Sequence, residues 1–160
     1  MTEPPVDTIE VGASPAEIWA ILDDPAALGR ILPGCESIAR EAPDRYVAVL
    51  ASKVQFMTIR SDVVATLHDA DPPHHLLLIL EGRPRGLGGS FRCEVPFDIV
   101  PNGAAGSRVA YSVGLTLGGS LAGFGGASLT DTLRRQVGEL VRNIEREVGR
   151  DLPDAPGPAA

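Results

Sequence analysis

Three groups of residues have the types and spacing to do chemistry. His68, His74 and His75, with Asp69 and Asp71 between them, are potential metal ligands. They bracket an expected hairpin turn in which Pro72 and Pro73 hold the chain extended, and a solvated turn is the better reading. Pro33-Gly34-Cys35-Glu36 sets a thiol beside an acid, but no base lies near it in sequence, so a structural turn is favoured over a nucleophile. Gly82-Arg83-Pro84-Arg85-Gly86-Leu87-Gly88-Gly89 is glycine-rich like a phosphate loop. It lacks the Gly-Lys-Ser/Thr ending and precedes a strand pattern instead of a helix.

The whole chain narrows the partners further. Its 160 residues suit one domain with a sizeable core, and two cysteines, Cys35 and Cys93, at no zinc-like spacing predict reduced thiols without a metal or disulfide framework. A net charge of -7 repels phosphate backbones and anionic headgroups, and aromatic content of 4% leaves few rings to stack bases. Nucleic acid is therefore not an expected partner, and charge gives no support to a peripheral membrane contact. Met1-Thr2-Glu3-Pro4-Pro5 has no signal-peptide character and no apolar run approaches membrane-spanning length, so a cytoplasmic, soluble protein is expected.

These residues are positioned by elements that the spacing marks out. Val6 to Val11 reads as a strand. Ser14-Pro15-Ala16-Glu17 is a helix start: Ser14 caps, Pro15 occupies the first helical position, and Glu17 reaches back to the cap. Ile18, Trp19 and Leu22 form its apolar stripe until Asp23-Asp24-Pro25, and a second short helix, Ala26 to Leu32, ends at Pro33-Gly34. From Cys35 to Leu117 the period is two. Met57, Ile59, Ser61, Val63, Ala65 and Leu67 alternate with polar neighbours, as do Phe91 to Ile99 and Val109 to Leu117, which predicts antiparallel strands wet on one side. Pro96 cannot donate to an interior ladder and predicts a bulge. After Gly118-Gly119 a helical stripe runs through Leu121, Phe124, Leu129, Leu133, Val137, Leu140, Val141, Ile144 and Val148.

One sheet with a single apolar face needs a cover, and the last helix, roughly 24 residues and about 36 Å long, is the element large enough to provide it. The expected fold is α+β, a curved seven-stranded antiparallel sheet wrapped around a long C-terminal helix, with two short helices after the first strand. Residues 6–149 form the domain; 1–5 and the Pro/Ala/Gly tail 150–160 are expected to be disordered. The curl leaves a cavity that small inward residues (Ala48, Ser61, Ala65, Gly82) would widen, with residues 82–89 as a mobile lid whose Arg83 and Arg85 would face an acidic partner. The expected ligand-binding set is Trp19, Met57, Ser61, Phe91, Cys93, Phe97, Tyr111, Phe124, Leu129 and Leu133, with Trp19, Ser61, Cys93 and Tyr111 as its polar handles. No inward His, Asp, Glu, Lys or Arg is expected, so general acid–base catalysis has no candidate and an apolar small molecule is the expected partner.

The element order resembles the helix-grip fold of the START-like (SRPBCC) superfamily, and the motifs resemble the CoxG family of carbon monoxide dehydrogenase. Four features carry this: Ser14-Pro15-Ala16-Glu17-Ile18-Trp19 followed by Asp24-Pro25; Leu32-Pro33-Gly34-Cys35-Glu36-Ser37; Asp71-Pro72-Pro73; and Gly118-Gly119-Ser120-Leu121-Ala122. The resemblance implies a non-catalytic accessory protein of a molybdenum hydroxylase, without a cofactor, whose apolar cavity holds a lipid- or quinone-like molecule. The alternatives are a helix-grip enzyme of cyclase or hydrolase type and an assembly factor with a filled core. Where the family commonly has glycines after the Asp-Pro-Pro turn this chain has Leu78-Ile79-Leu80, which implies a narrower cavity.

Overall fold

A computed structural model describes residues 6–54, 56–86, 88–103, 106–119 and 126–151, with the side chains of Val54, Met57, 126–129 and 149–151 excepted. The elements are β1 (Asp7–Val11), α1 (Pro15–Leu22), α2 (Pro25–Ile31), β2 (Cys35–Ala42), β3 (Arg45–Val54), β4 (Met57–Asp71), β5 (His75–Pro84), β6 (Ser90–Asn102), β7 (Gly106–Tyr111), β8 (Gly114–Gly118) and α3 (Gly126–Asp151). All pairings are antiparallel, in the order β1-β7-β6-β5-β4-β3-β2, with β8 as an eighth strand that also pairs with β6. The fold is thus the expected α+β helix-grip arrangement. Phe124 and the remainder of 121–125, with the terminal residues 1–5 and 152–160, lie outside the described residues.

Local chemistry explains where the helices begin. Glu17 N–H donates to Ser14 Oγ at 3.2 Å while Ser14 N–H donates to Glu17 Oε1 at 2.8 Å, a complete capping box with Pro15 behind it. Asp24 caps α2 in the same manner through Ala26 N–H, at 3.1 Å. Replacing Ser14 with alanine is expected to lower stability by about 1 kcal/mol, read as a shifted urea midpoint at unchanged slope. An unchanged midpoint would mean that packing alone holds α1.

Two expectations about the strands are corrected. The alternation from Val109 to Leu117 is not one strand: it breaks at Ser112-Val113, and β6 is long enough to pair first with β8 and then with β7. Pro96 makes no bulge, because the β5–β6 register runs unbroken through Leu77↔Pro96. On its other edge β6 has changed partner at that point, between Glu94↔Gly114 and Phe97↔Tyr111, so a proline there interrupts no ladder.

The concave face divides into two halves. Val95, Ile99, Val109, Val113, Val141 and Ile144 are buried between β6–β7–β1 and the C-terminal half of α3, with Ile18 and Ile21 of α1 closing over them. Polar contacts lock α3 onto this half. The Arg134 guanidinium donates to both Asp7 oxygens (2.9 and 3.0 Å), Gly12 N–H donates to Glu145, and Arg30 Nε donates at 2.9 Å to the buried Glu147. Asn143 Nδ2 meets the end of α2 at Ile31 O, 2.9 Å. The other half, under the N-terminal part of α3, is not filled.

Candidate functional site: an apolar cavity between sheet and helix

The unfilled half is a cavity of about 160 Å³. Period-two alternation supplies its sheet side: Leu50 and Ser52 from β3, Ile59, Ser61 and Val63 from β4, Leu78, Leu80 and Pro84 from β5. Phe91, Cys93, Val95 and Phe97 of β6 and Leu115 and Leu117 of β8 continue it. Opposite them α3 presents Thr132, Leu133, Gln136, Val137 and Leu140, positions that recur at helical spacing, and Leu32-Pro33 close one flank. The wall carries no charged side chain among the described residues. Gln136 Nε2 donates to Ser52 Oγ at 3.4 Å, a bond between helix and sheet across the cavity's polar end.

Of the expected ligand-binding set, Ser61, Phe91, Cys93, Phe97 and Leu133 come together in this wall. Trp19 and Tyr111 do not. Trp19 packs from α1 onto the filled half, and Tyr111 is buried with its ring 6.1 Å from that of Phe97 and its hydroxyl against Gly138 of α3. Burial and the negative charge of Asp7 raise the Tyr111 pKa. Phe124 and the side chains of Met57 and Leu129 lie outside the described residues. Ser52, Thr132 and Gln136 escaped sequence reasoning, although Ser52 is the next inward position after Leu50 and Gln136 falls on the stripe of Leu133 and Leu140.

The small residues act differently from expectation. Ala48 and Ala65 stand outside the cavity wall. Gly82 does not widen it: a Cβ there would lie 2.3 Å from Phe91 Cζ, so the glycine makes room for its cross-strand partner's ring to lie flat in the wall. Leu78 and Leu80 do narrow the space, while Ile79 between them faces outward.

The other chemistry-bearing residues are engaged locally. His75 Nδ1 lies 2.8 Å from Asp98 Oδ1 and His68 Nε2 lies 2.8 Å from Thr66 Oγ1; among the described residues no group of three or more His, Cys, Asp or Glu is placed to hold a metal. Burial pushes the Cys93 thiol up to about 12, with Glu94 adding to the shift, so it stays protonated and is a poor nucleophile. Burial likewise raises Cys35, whose Sγ donates to Ser37 O at 3.4 Å. Arg85, expected to face an acidic partner, grips Asp62 of its own sheet through two bonds of 2.7 and 3.0 Å.

A larger concavity of about 830 Å³ lies on the outer face of the sheet, over Ala39, Val47, Val49 and Val64. Charged side chains edge it, and Arg45, Asp62, Glu81 and Arg92 are already held in ion pairs. The inner cavity is smaller, but it alone of the two joins an apolar wall to the sheet–helix interior.

The fold has close relatives among solved structures. A conserved protein from Geobacillus kaustophilus superposes with a TM-score of 0.80 at 23% identity, over 91% of this chain and 94% of that one. A START superfamily protein from Mycobacterium smegmatis gives 0.69 at 17% identity (91% and 97% covered), and the ZhuI aromatase/cyclase from Streptomyces sp. R1128 gives 0.68 at 14% (97% and 98%). At these identities the likeness is one of fold. No curated protein matches the chain by sequence. The family model for CoxG, the G-type subunit of carbon monoxide dehydrogenase, matches residues 8–149, from β1 through nearly all of α3, and so includes every strand and helix that builds the cavity. The chain belongs to the carbon monoxide dehydrogenase CoxG family.

Proposed function

We propose that this protein is a non-catalytic carrier that holds an apolar or amphipathic molecule, lipid- or quinone-like, in the sheet–helix cavity, as an accessory to a carbon monoxide dehydrogenase-type molybdenum hydroxylase. The observation that carries the reading is a continuous apolar wall, from Leu50 to Leu117 and across to Leu140, without a charged side chain among the described residues. Such a wall favours hydrocarbon because burying apolar surface is worth about 25 cal/mol per Å². The family name supports the hydroxylase as the partner enzyme.

The aromatase/cyclase among the structural relatives raises a catalytic reading. A cyclase needs a group that takes or gives a proton at working pH. This wall offers only Ser, Thr, Gln and a thiol held near 12, so the carrier reading is better supported.

Purified protein should release a stoichiometric apolar molecule into an organic extract, identified by mass spectrometry against a mock purification. A clean extract, together with no uptake of added lipids or quinones, would remove the carrier reading and favour an assembly role.

A further inference from the structure

The polar groups of the cavity are gathered at one end. In the sheet register Ser52 stands opposite Ile59 and Ser61 opposite Leu50, the two rows nearest the β3–β4 turn, and Gln136 of α3 meets Ser52 across the gap. The rows beyond are Leu80–Cys93–Leu115, Leu78–Val95 and then Phe97, with Leu140 above them. The Ser61 hydroxyl has no side-chain hydrogen-bond partner among the described residues. The Gln136–Ser52 bond is long, at 3.4 Å, so it gives way readily to a better-placed group.

Resting on the carrier reading, we infer that the cavity selects an uncharged, single-headed amphipath. Its apolar body lies toward Val95 and Phe97, and its head, a hydroxyl or carbonyl, lies among Ser52, Ser61 and Gln136. A serine hydroxyl and a glutamine amide each donate and accept, so they satisfy either kind of neutral head. A carboxylate would shed its water for a wall without a cation, and an unpaired buried charge is costly. The volume of about 160 Å³ sets the body's size. Apolar cavities of about 150 Å³ take a benzene ring, so the seat holds one ring or a short chain, and a longer tail extends outside it.

The test is a matched series of 4-phenylbutan-1-ol, 4-phenylbutanoate and butylbenzene, titrated calorimetrically into the full chain at about pH 8, where the carboxylate is ionised. The alcohol is expected to bind about tenfold more tightly than the carboxylate. In Ser52→Ala/Gln136→Leu the alcohol should lose its advantage over butylbenzene, by about fivefold, while butylbenzene binds as before and so reports an intact fold. Gln136→Lys supplies the missing cation and should make the carboxylate the tighter ligand. Equal binding of alcohol and carboxylate by the unaltered protein, or selectivity that survives the double change, overturns this inference while butylbenzene binding leaves the carrier reading standing. Failure of all three compounds to bind overturns both.

Discussion

Alanine at position 34 is expected to destabilise the protein by about 3 kcal/mol, among the larger effects of any single methyl group in this fold. Gly34 adopts φ 75°, a left-handed conformation that costs a residue with a Cβ about 1–3 kcal/mol. A second penalty adds to it, because a Cβ at this position would lie 2.0 Å from the carbonyl oxygen of Ala51, and backbone cannot swing aside as a side-chain tip can. The closeness is built in: Ala51 N–H donates to Gly34 O at 2.7 Å, which pins the turn after α2 against β3. Gly34→Asn separates the two causes. Asparagine tolerates the left-handed region but keeps the Cβ, so it should be nearly as damaging as alanine if the clash dominates. Urea unfolding of both variants measures this, and a loss below about 1 kcal/mol for either would show that the turn can move. Since Leu32 and Pro33 line the cavity immediately before this glycine, the motif Leu32-Pro33-Gly34 has a structural role in closing the cavity's flank.

The helices and the strand period were legible in the sequence because each rests on neighbours within a few residues. The capping box at Ser14 and Glu17, the stop at Pro33-Gly34 and the alternation along β4 and β6 are local signals, and antiparallel topology follows from short connections between half-wet strands. What was not legible depends on contacts across the sheet. Gly82 reads as empty space until its partner Phe91 is known, and Pro96 reads as a defect until β6 is seen to change partners beside it. Tyr111 has an inward side chain like those of the cavity wall. It lies over the filled half because Gly138 admits its hydroxyl beneath α3, a detail of helix–sheet register that alternation does not encode. Gln136 was passed over because a polar residue on an apolar stripe has no local mark, and its pairing with Ser52 spans 84 residues of sequence.

The central claim is that the space under the N-terminal half of α3 is a binding site and not an imperfectly packed core. Leu80 tests it, because it faces that space from the middle of the sheet and is only partly buried there. Leu80→Trp would occupy free volume at little cost to folding while excluding a ligand; in a filled core the same enlargement would typically cost about 1–3 kcal/mol. The decisive measurement is a calorimetric titration of butylbenzene into the unaltered protein and into Leu80→Trp, with urea midpoints taken on the same samples. The account predicts that the unaltered chain binds, that Leu80→Trp binds at least about tenfold more weakly, and that its stability changes by less than about 1 kcal/mol. Undiminished binding by Leu80→Trp, or its loss only together with the fold, would contradict the claim.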